Sequence, residues 1–264
     1  MFGGAGGDGE RARVALNIDH GTLWAYTWRT AELLYKLVPN YIRWPQHPCQ
    51  DHNRHRIFRD CIGFLDGLDI VLRYKPMVQR RAYLSRKGHY GFNLQAICNW
   101  KGQFIWASMR YTASMSDSEA WESTGLYRAV DTNFEPEEYV LADKAYALEM
   151  HIITPYENPA ARKPANTTFN HELSKPRVKI EHAFKHAGLP LMSYRFGLVW
   201  MRSKDINEYT IGQWHVLCFI IYFTVCGMMR PGYRQKLNVS KQLQPAIKIL
   251  MKAMNKSQIQ MPKE

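Results

Sequence analysis

Four acidic residues, far apart along the chain, stand where side chains gather at the ends of secondary-structure elements. Asp66 interrupts the apolar run "CIGFLDGLDIVL", where an unpaired carboxylate costs free energy. Asp117 opens a helix signal in "SMSDSEAW", Asp143 closes the short apolar run "YVLAD", and Glu181 lies in "RVKIEHAF". Carboxylates drawn from separate elements to the carboxyl ends of strands form a hard-oxygen site suited to Mg²⁺ or Mn²⁺. Two such ions about 3.5–4 Å apart activate an attacking oxygen and stabilise the leaving oxygen of a phosphodiester. Each acid also has a plainer reading: Asp117 as a helix cap, Glu181 as an ion-pair partner for Arg177 or Lys179. Their joint placement carries the metal expectation. On that expectation the partner of Asp66 is a metal ion rather than a protein cation. Gly67 then leaves room for a phosphate or a metal-bound water.

Such convergence needs a sheet. Residues 61–74, 89–100 and 103–111 are runs rich in β-branched and aromatic residues, and the short turn "NWKG" joins the second to the third, a hairpin signal. A Ser-Asp start at residues 116–118 opens a helix expected to reach Arg128. "YVLAD" and "HIITPY" are short apolar strands of the buried type. Residues 157–171 read as a loop before the helix "ELSKPRVKIEHAFKHA". With Val178, Ile180, Ala183 and Phe184 facing inward, that helix carries Glu181 toward the sheet. The order points to an α/β domain with a mixed sheet. The apolar segment Trp214–Met229 is about 16 residues long, too short to span a bilayer comfortably, and reads as a buried helix.

Charge narrows the partners. Lys and Arg number 35 against 23 Asp and Glu, a net +12, and a surplus of that size favours a polyanion such as nucleic acid. The segment "RRAYLSRKGHY" sets Arg80, Arg81, Arg86, Lys87 and His89 just before the second strand, near the first acid, where they can hold phosphates. A solvated hairpin is the alternative. The stretch from Arg230 to Glu264 holds eight basic residues against one acid, with Ile247, Leu250, Met251 and Met254 along one side of an amphipathic pattern. It can clamp DNA, pack on the domain or bind a partner. His47, Cys49, His52 and His55 crowd one loop without the spacing of a familiar zinc finger. Cys49, Cys61, Cys98, Cys218 and Cys226 are scattered and odd in number, a pattern of a reducing compartment rather than a disulfide framework. The expectation is a soluble intracellular protein.

The ordered motifs "CIGFLDGLDIVL", "RAYLSRKGHYGFNLQAICNWKGQF", "SMSDSEAW", "YVLADKAYAL", "HIITPY" and "FNHELSKPRVKIEHAF" resemble those of the DDE nuclease domain of Harbinger-like transposases, over about Gly21 to Gly227. The resemblance implies an RNase H-like fold with a five-stranded mixed sheet flanked by helices. It also implies DNA cleavage at transposon ends with two Mg²⁺ or Mn²⁺ ions. Carried over by motif, Asp66 matches the first acid, Asp117 the acid of an "HDS"-like motif, Asp143 that of a "GDSGY"-like motif and Glu181 that of an "IERAF"-like motif. Either Asp143 or Asp117 completes a triad with Asp66 and Glu181. The second acid of a DDE fold follows the fourth strand, and Asp143 lies 38 positions before Glu181. Both points favour Asp143. The resemblance further implies DNA as partner, a Myb-like accessory protein and residence in the nucleus, and self-association is left open.

The expected organisation is a Gly-rich disordered start at 1–9, a helical segment and linker at 10–56, the nuclease domain at 57–229 and the basic amphipathic tail at 230–264. Within 10–56 the outline fits a helix-turn-helix or a helical hairpin. "KHAGLPLMSYRF" and "DKAY" depart from the family pattern. The second hypothesis is therefore a domesticated, catalytically inactive DNA- or protein-binding derivative.

Overall fold

The computed structural model describes residues 57–186 except 73, 74, 77 and 78, together with residues 14, 17, 19, 21, 22, 38, 39 and 42–45. The His/Cys loop at 47–55, the apolar segment 214–229 and the basic tail lie outside the described residues, as does most of the N-terminal helical segment. Asp19 is an exception: it accepts from the Thr22 backbone N–H at 2.9 Å, the bond of a helix N-cap.

Five strands form one mixed sheet in the order β3-β2-β1-β4-β5. They are β1 Cys61–Val71, β2 Gly91–Cys98, β3 Phe104–Thr112, β4 Tyr139–Leu141 and β5 Ile152–Ile153. The first three pair antiparallel, whereas β4 runs parallel to β1 and β5 parallel to β4. The β2–β3 turn is closed by Asn99, whose side-chain oxygen accepts from Lys101 and Gln103 N–H at 3.0 Å. Gly102 there has φ +75°, which a side chain would strain.

The 2.0-residue period of the strands splits the core into two layers. Phe64, Leu94, Ala96 and Leu141 face one side, where they meet Leu173, Ile180 and Phe184 of the long helix α5, Pro164–His186. Leu65, Ile97, Val140 and Ile152 face the other side, covered by Trp121, Leu126 and Phe134. Each large apolar side chain among them, fully buried, contributes roughly 1.5–3 kcal/mol. The cover on this second side is three short helices, α2 Asp117–Glu122, α3 Gly125–Arg128 and α4 Val130–Asn133, where a single helix to Arg128 was expected. The break is local chemistry: the Thr124 hydroxyl caps a new helix by accepting from Tyr127 N–H at 3.0 Å. Another short helix, α1 Arg80–Tyr83, precedes β2.

The long helix corrects two expectations. It begins at Pro164, inside the segment expected to be loop. Proline suits the first turn, where its missing N–H loses nothing, and the Thr167 N–H donates to Lys163 O at 2.9 Å. Its inward face is Leu173, Pro176, Ile180, Ala183 and Phe184, whereas Val178 is 41% exposed. Among the described residues no helix is long and apolar enough to cross a membrane.

Candidate metal centre

Register brings two of the acids side by side. Phe64 of β1 pairs with Leu141 of β4, and Asp66 and Asp143 each follow their paired residue by two positions. Parallel neighbours lie about 4.8 Å apart, so the two aspartates leave adjacent strands at one level. β4 ends before Asp143, which turns: its Oδ1 accepts the Ala145 N–H at 2.6 Å, an Asx-type turn. The Asp66 carboxylate is mostly buried and accepts the Gly67 N–H at 3.0 Å. Burial pushes its carboxyl up to about 6, with Arg177 opposing and Asp143 and then Asp117 adding to the rise. Three aspartates thus sit within electrostatic reach of one another.

Asp117 arrives from the other layer. Its neighbour Ser116, not Asp117, caps α2, in a reciprocal capping box with Glu119. The Asp117 side chain is thereby free to turn toward the sheet, where its Oδ1 accepts from Asn93 Nδ2 at 3.0 Å and Gln95 Nε2 at 3.2 Å. A Cβ built at Gly67 would lie 2.1 Å from that oxygen. Gly67 therefore makes room for a protein carboxylate, not for the phosphate or water expected from the sequence. Burial also raises the Asp117 carboxyl, against its bond from Asn93, with Asp143 and Asp69 reinforcing the rise.

Behind these acids lies a buried polar ladder that strand alternation had not flagged. Asn93 and Gln95 are 2% and 0% exposed. Gln95 donates to Asn93 Oδ1 at 2.7 Å and accepts from the Tyr146 hydroxyl at 2.7 Å. Burial, with the nearby Asp117, Asp66 and Asp143, raises the Tyr146 phenol well above its ordinary value, so it stays protonated and donates. A run of polar residues alternating with Phe92, Leu94 and Ala96 normally marks a solvated face. Here helix α2 covers it.

The long helix presents Arg177 to the acids. Its Nη2 lies 3.8 Å from Asp66 Oδ1, its side chain is 17% exposed, and its buried Nε has no hydrogen-bond partner among the described residues. Asp66 thus has a protein cation beside it, contrary to the expectation that only a metal would serve. Glu181 lies one helical turn beyond Arg177 and is exposed. The inward turn of the helix at this level belongs to Ile180, and the charges that act most on Asp66 are those of Arg177, Asp143 and Asp117 rather than Glu181. Among the described residues no three acidic, histidine or cysteine side chains close to a single coordination sphere. The donor chemistry still fits a hard cation: three mutually repelling carboxylates, supplied by oxygen alone and partly offset by one guanidinium.

The basic segment stands nearby. Arg80 and Arg81 on α1, with Arg86 and Lys87 in the turn that follows, are all exposed. Arg86 is felt by Glu119 at the start of α2, the helix that bears Asp117. His89 instead is half-buried against Asp69, Nε2 to Oδ2 at 3.0 Å, so it is tied to a carboxylate rather than turned to solvent. Asp69, on β1, was not among the acids singled out, although its spacing from Asp66 in "LDGLD" was available.

Residues 65–187 match the DDE superfamily endonuclease family. The match takes in Asp66, Asp117, Asp143 and Glu181, and it bears out the DDE resemblance read from the motifs. The chain is similar to "Putative nuclease HARBI1" of Bos taurus, 23% identical over 124 residues that cover 47% of this chain and 35% of that protein. The protein of the same name in Xenopus laevis is 23% identical over 109 residues, 41% of this chain and 30% of its own length. "Protein ALP1-like" of Arabidopsis thaliana is 22% identical over 224 residues, 75% of this chain and 53% of that one. The chain therefore spans between about a third and a half of these relatives. No solved structure matches it.

Proposed function

We propose that residues 57–186 hold the catalytic part of a divalent-metal-dependent DNA endonuclease of the DDE type, in an RNase H-like sheet. The carrying observation is that Asp66, Asp117 and Asp143 lie within electrostatic reach of one another, Asp143 and Asp117 adding to the rise of the Asp66 carboxyl to about 6. The strand order, with one acid on β1 and another after β4, supports the RNase H-like reading. Asp66 and Asp143 are the first ligands by placement, Asp117 offers a third carboxylate, and Glu181 would join only if its side chain swings in from the exposed flank of α5. One or two Mg²⁺ or Mn²⁺ ions bound there would supply Lewis-acid activation of water and stabilisation of the leaving oxygen.

The remaining roles belong to the chain itself. Arg80, Arg81, Arg86 and Lys87 attract and hold the phosphate backbone. His89, held by Asp69, supports the turn that presents them. Arg177, beside Asp66, holds positive charge where the phosphate would approach. DNA as substrate carries nuclear residence with it, and a Myb-like accessory protein rests on the resemblance alone.

A second reading, an inactive derivative that keeps DNA or partner binding, is favoured by one observation: Arg177 lies beside Asp66 while Glu181 is exposed. Nicking of supercoiled plasmid by the full chain separates the two. The endonuclease nicks with Mg²⁺ or Mn²⁺, stops with EDTA and is abolished by Asp66→Asn. DNA binding without nicking under every metal condition selects the derivative.

A further inference from the structure

We propose that Tyr146, Gln95 and Asn93 form a brace that orients Asp117 for cation binding and ties it to the turn bearing Asp143. The proposal rests on the metal-centre reading above and assigns positioning roles that the acids alone do not need.

The geometry is specific. Both amide donors, from Asn93 and Gln95, fall on Asp117 Oδ1 at 3.0 and 3.2 Å, and Oδ2 takes neither bond. That leaves one oxygen for an outside ligand. The Gln95 amide cannot be turned over at low cost, because its oxygen would then face Asp117 Oδ1 and Asn93 Oδ1. The Tyr146 hydroxyl locks that choice by donating to Gln95 Oε1 at 2.7 Å. Tyr146 belongs to the Asp143 turn, its N–H donating to Asp143 O at 3.3 Å. One continuous set of hydrogen bonds therefore runs from the Asp143 turn through β2 to Asp117.

A core position needs no such polarity. Apolar side chains at 93 and 95 would cover the same face without desolvating two amides, which is costly unless every group is paired. Beyond a long bond from Asn93 to Met115 O at 3.4 Å, both amides of the ladder donate to the Asp117 carboxylate, and holding that carboxylate is its use.

The test is Mn²⁺ binding by the full chain, followed by electron paramagnetic resonance, with folding checked by circular dichroism. Tyr146→Phe removes one hydroxyl, and both it and Gln95→Met should weaken Mn²⁺ binding by about 10- to 100-fold, the usual loss when an outer partner of a ligand is removed. Because Tyr146 acts through Gln95, the double variant should bind no more weakly than Gln95→Met alone. A merely structural ladder would shift the unfolding midpoint and leave Mn²⁺ affinity in place, and that result overturns the brace, as do additive losses in the double variant. If Tyr146→Phe does not fold, Asn93→Ser breaks the brace at its other end, and wild-type affinity in that variant overturns it equally. Wild-type protein that binds no Mn²⁺ removes the metal centre and the brace together, a failure visible before any variant is made.

Discussion

The Oδ1 of Asp117 occupies the space that a side chain at position 67 would need, 2.1 Å from a Cβ built on Gly67. Glycine is required there by a carboxylate from another element rather than by its own backbone conformation. Gly67→Ala should therefore expel Asp117 from its two amide donors. The expected cost is about 2–4 kcal/mol in chemical denaturation, from the lost bonds and the buried amides left unpaired, together with loss of metal-dependent nicking. A near-native Gly67→Ala protein would mean that Asp117 has a second equivalent position.

Asp66 gives a pH signature. Its carboxyl, raised to about 6 in the fold, binds its proton more tightly in the native than in the unfolded chain. Metal-free stability from this group is thus full at acid pH and declines as pH rises from about 4 toward 6. Asp66→Asn removes the decline and should be the more stable protein above pH 7, by on the order of 2 kcal/mol. Thermal unfolding of the two proteins across pH 4–8 in EDTA measures the difference.

Metal should reverse that ranking. Binding needs the ionised carboxylate, so Mg²⁺ or Mn²⁺ should raise the unfolding midpoint of the wild type increasingly as pH passes about 6 and leave Asp66→Asn unmoved. Equal metal-induced shifts in both proteins would place the cation away from Asp66.

Arg177 lowers the Asp66 carboxyl against the push of burial and of its fellow aspartates. Arg177→Gln should carry the Asp66 titration above 6 and move the metal-free stability decline to higher pH. An unchanged pH profile would show that the 3.8 Å approach carries little interaction.

The exposed bases make a salt-dependent prediction. Alanine at Arg80, Arg81, Arg86 and Lys87 should leave the unfolding midpoint within a few degrees. Each lost phosphate contact should flatten the dependence of DNA affinity on log salt by about 0.9. Fluorescence anisotropy with a duplex between about 50 and 200 mM salt reads this directly. Retention of the wild-type slope would exclude the segment from the DNA interface.

Much of the fold was legible because its signals are local. Apolar runs with β-branched residues mark β1 to β3, "NWKG" marks their hairpin, and "YVL" marks a buried parallel strand. The start of α5 was hidden by Pro164, Asn166, Thr167 and Thr168, which read as loop until Pro164 is placed at a first helical turn. Asp66 and Asp143 were legible as acids breaking apolar runs. Asn93, Gln95 and Tyr146 were not, since alternating polarity on β2 normally means solvent, and only packing of α2 on that face turns it into a buried ladder. Likewise the register that sets Arg177, rather than Glu181, beside Asp66 depends on how α5 lies on the sheet, which its helical period alone does not fix.

The shared-cation claim is met most directly by a Mn²⁺-soaked crystal of the full chain, read by anomalous diffraction. The account predicts a Mn²⁺ peak held by Asp66 and Asp143, with Arg177 drawn away from Asp66. A Mn²⁺ peak elsewhere, with Arg177 still against Asp66 and no peak between the two aspartates, would contradict it.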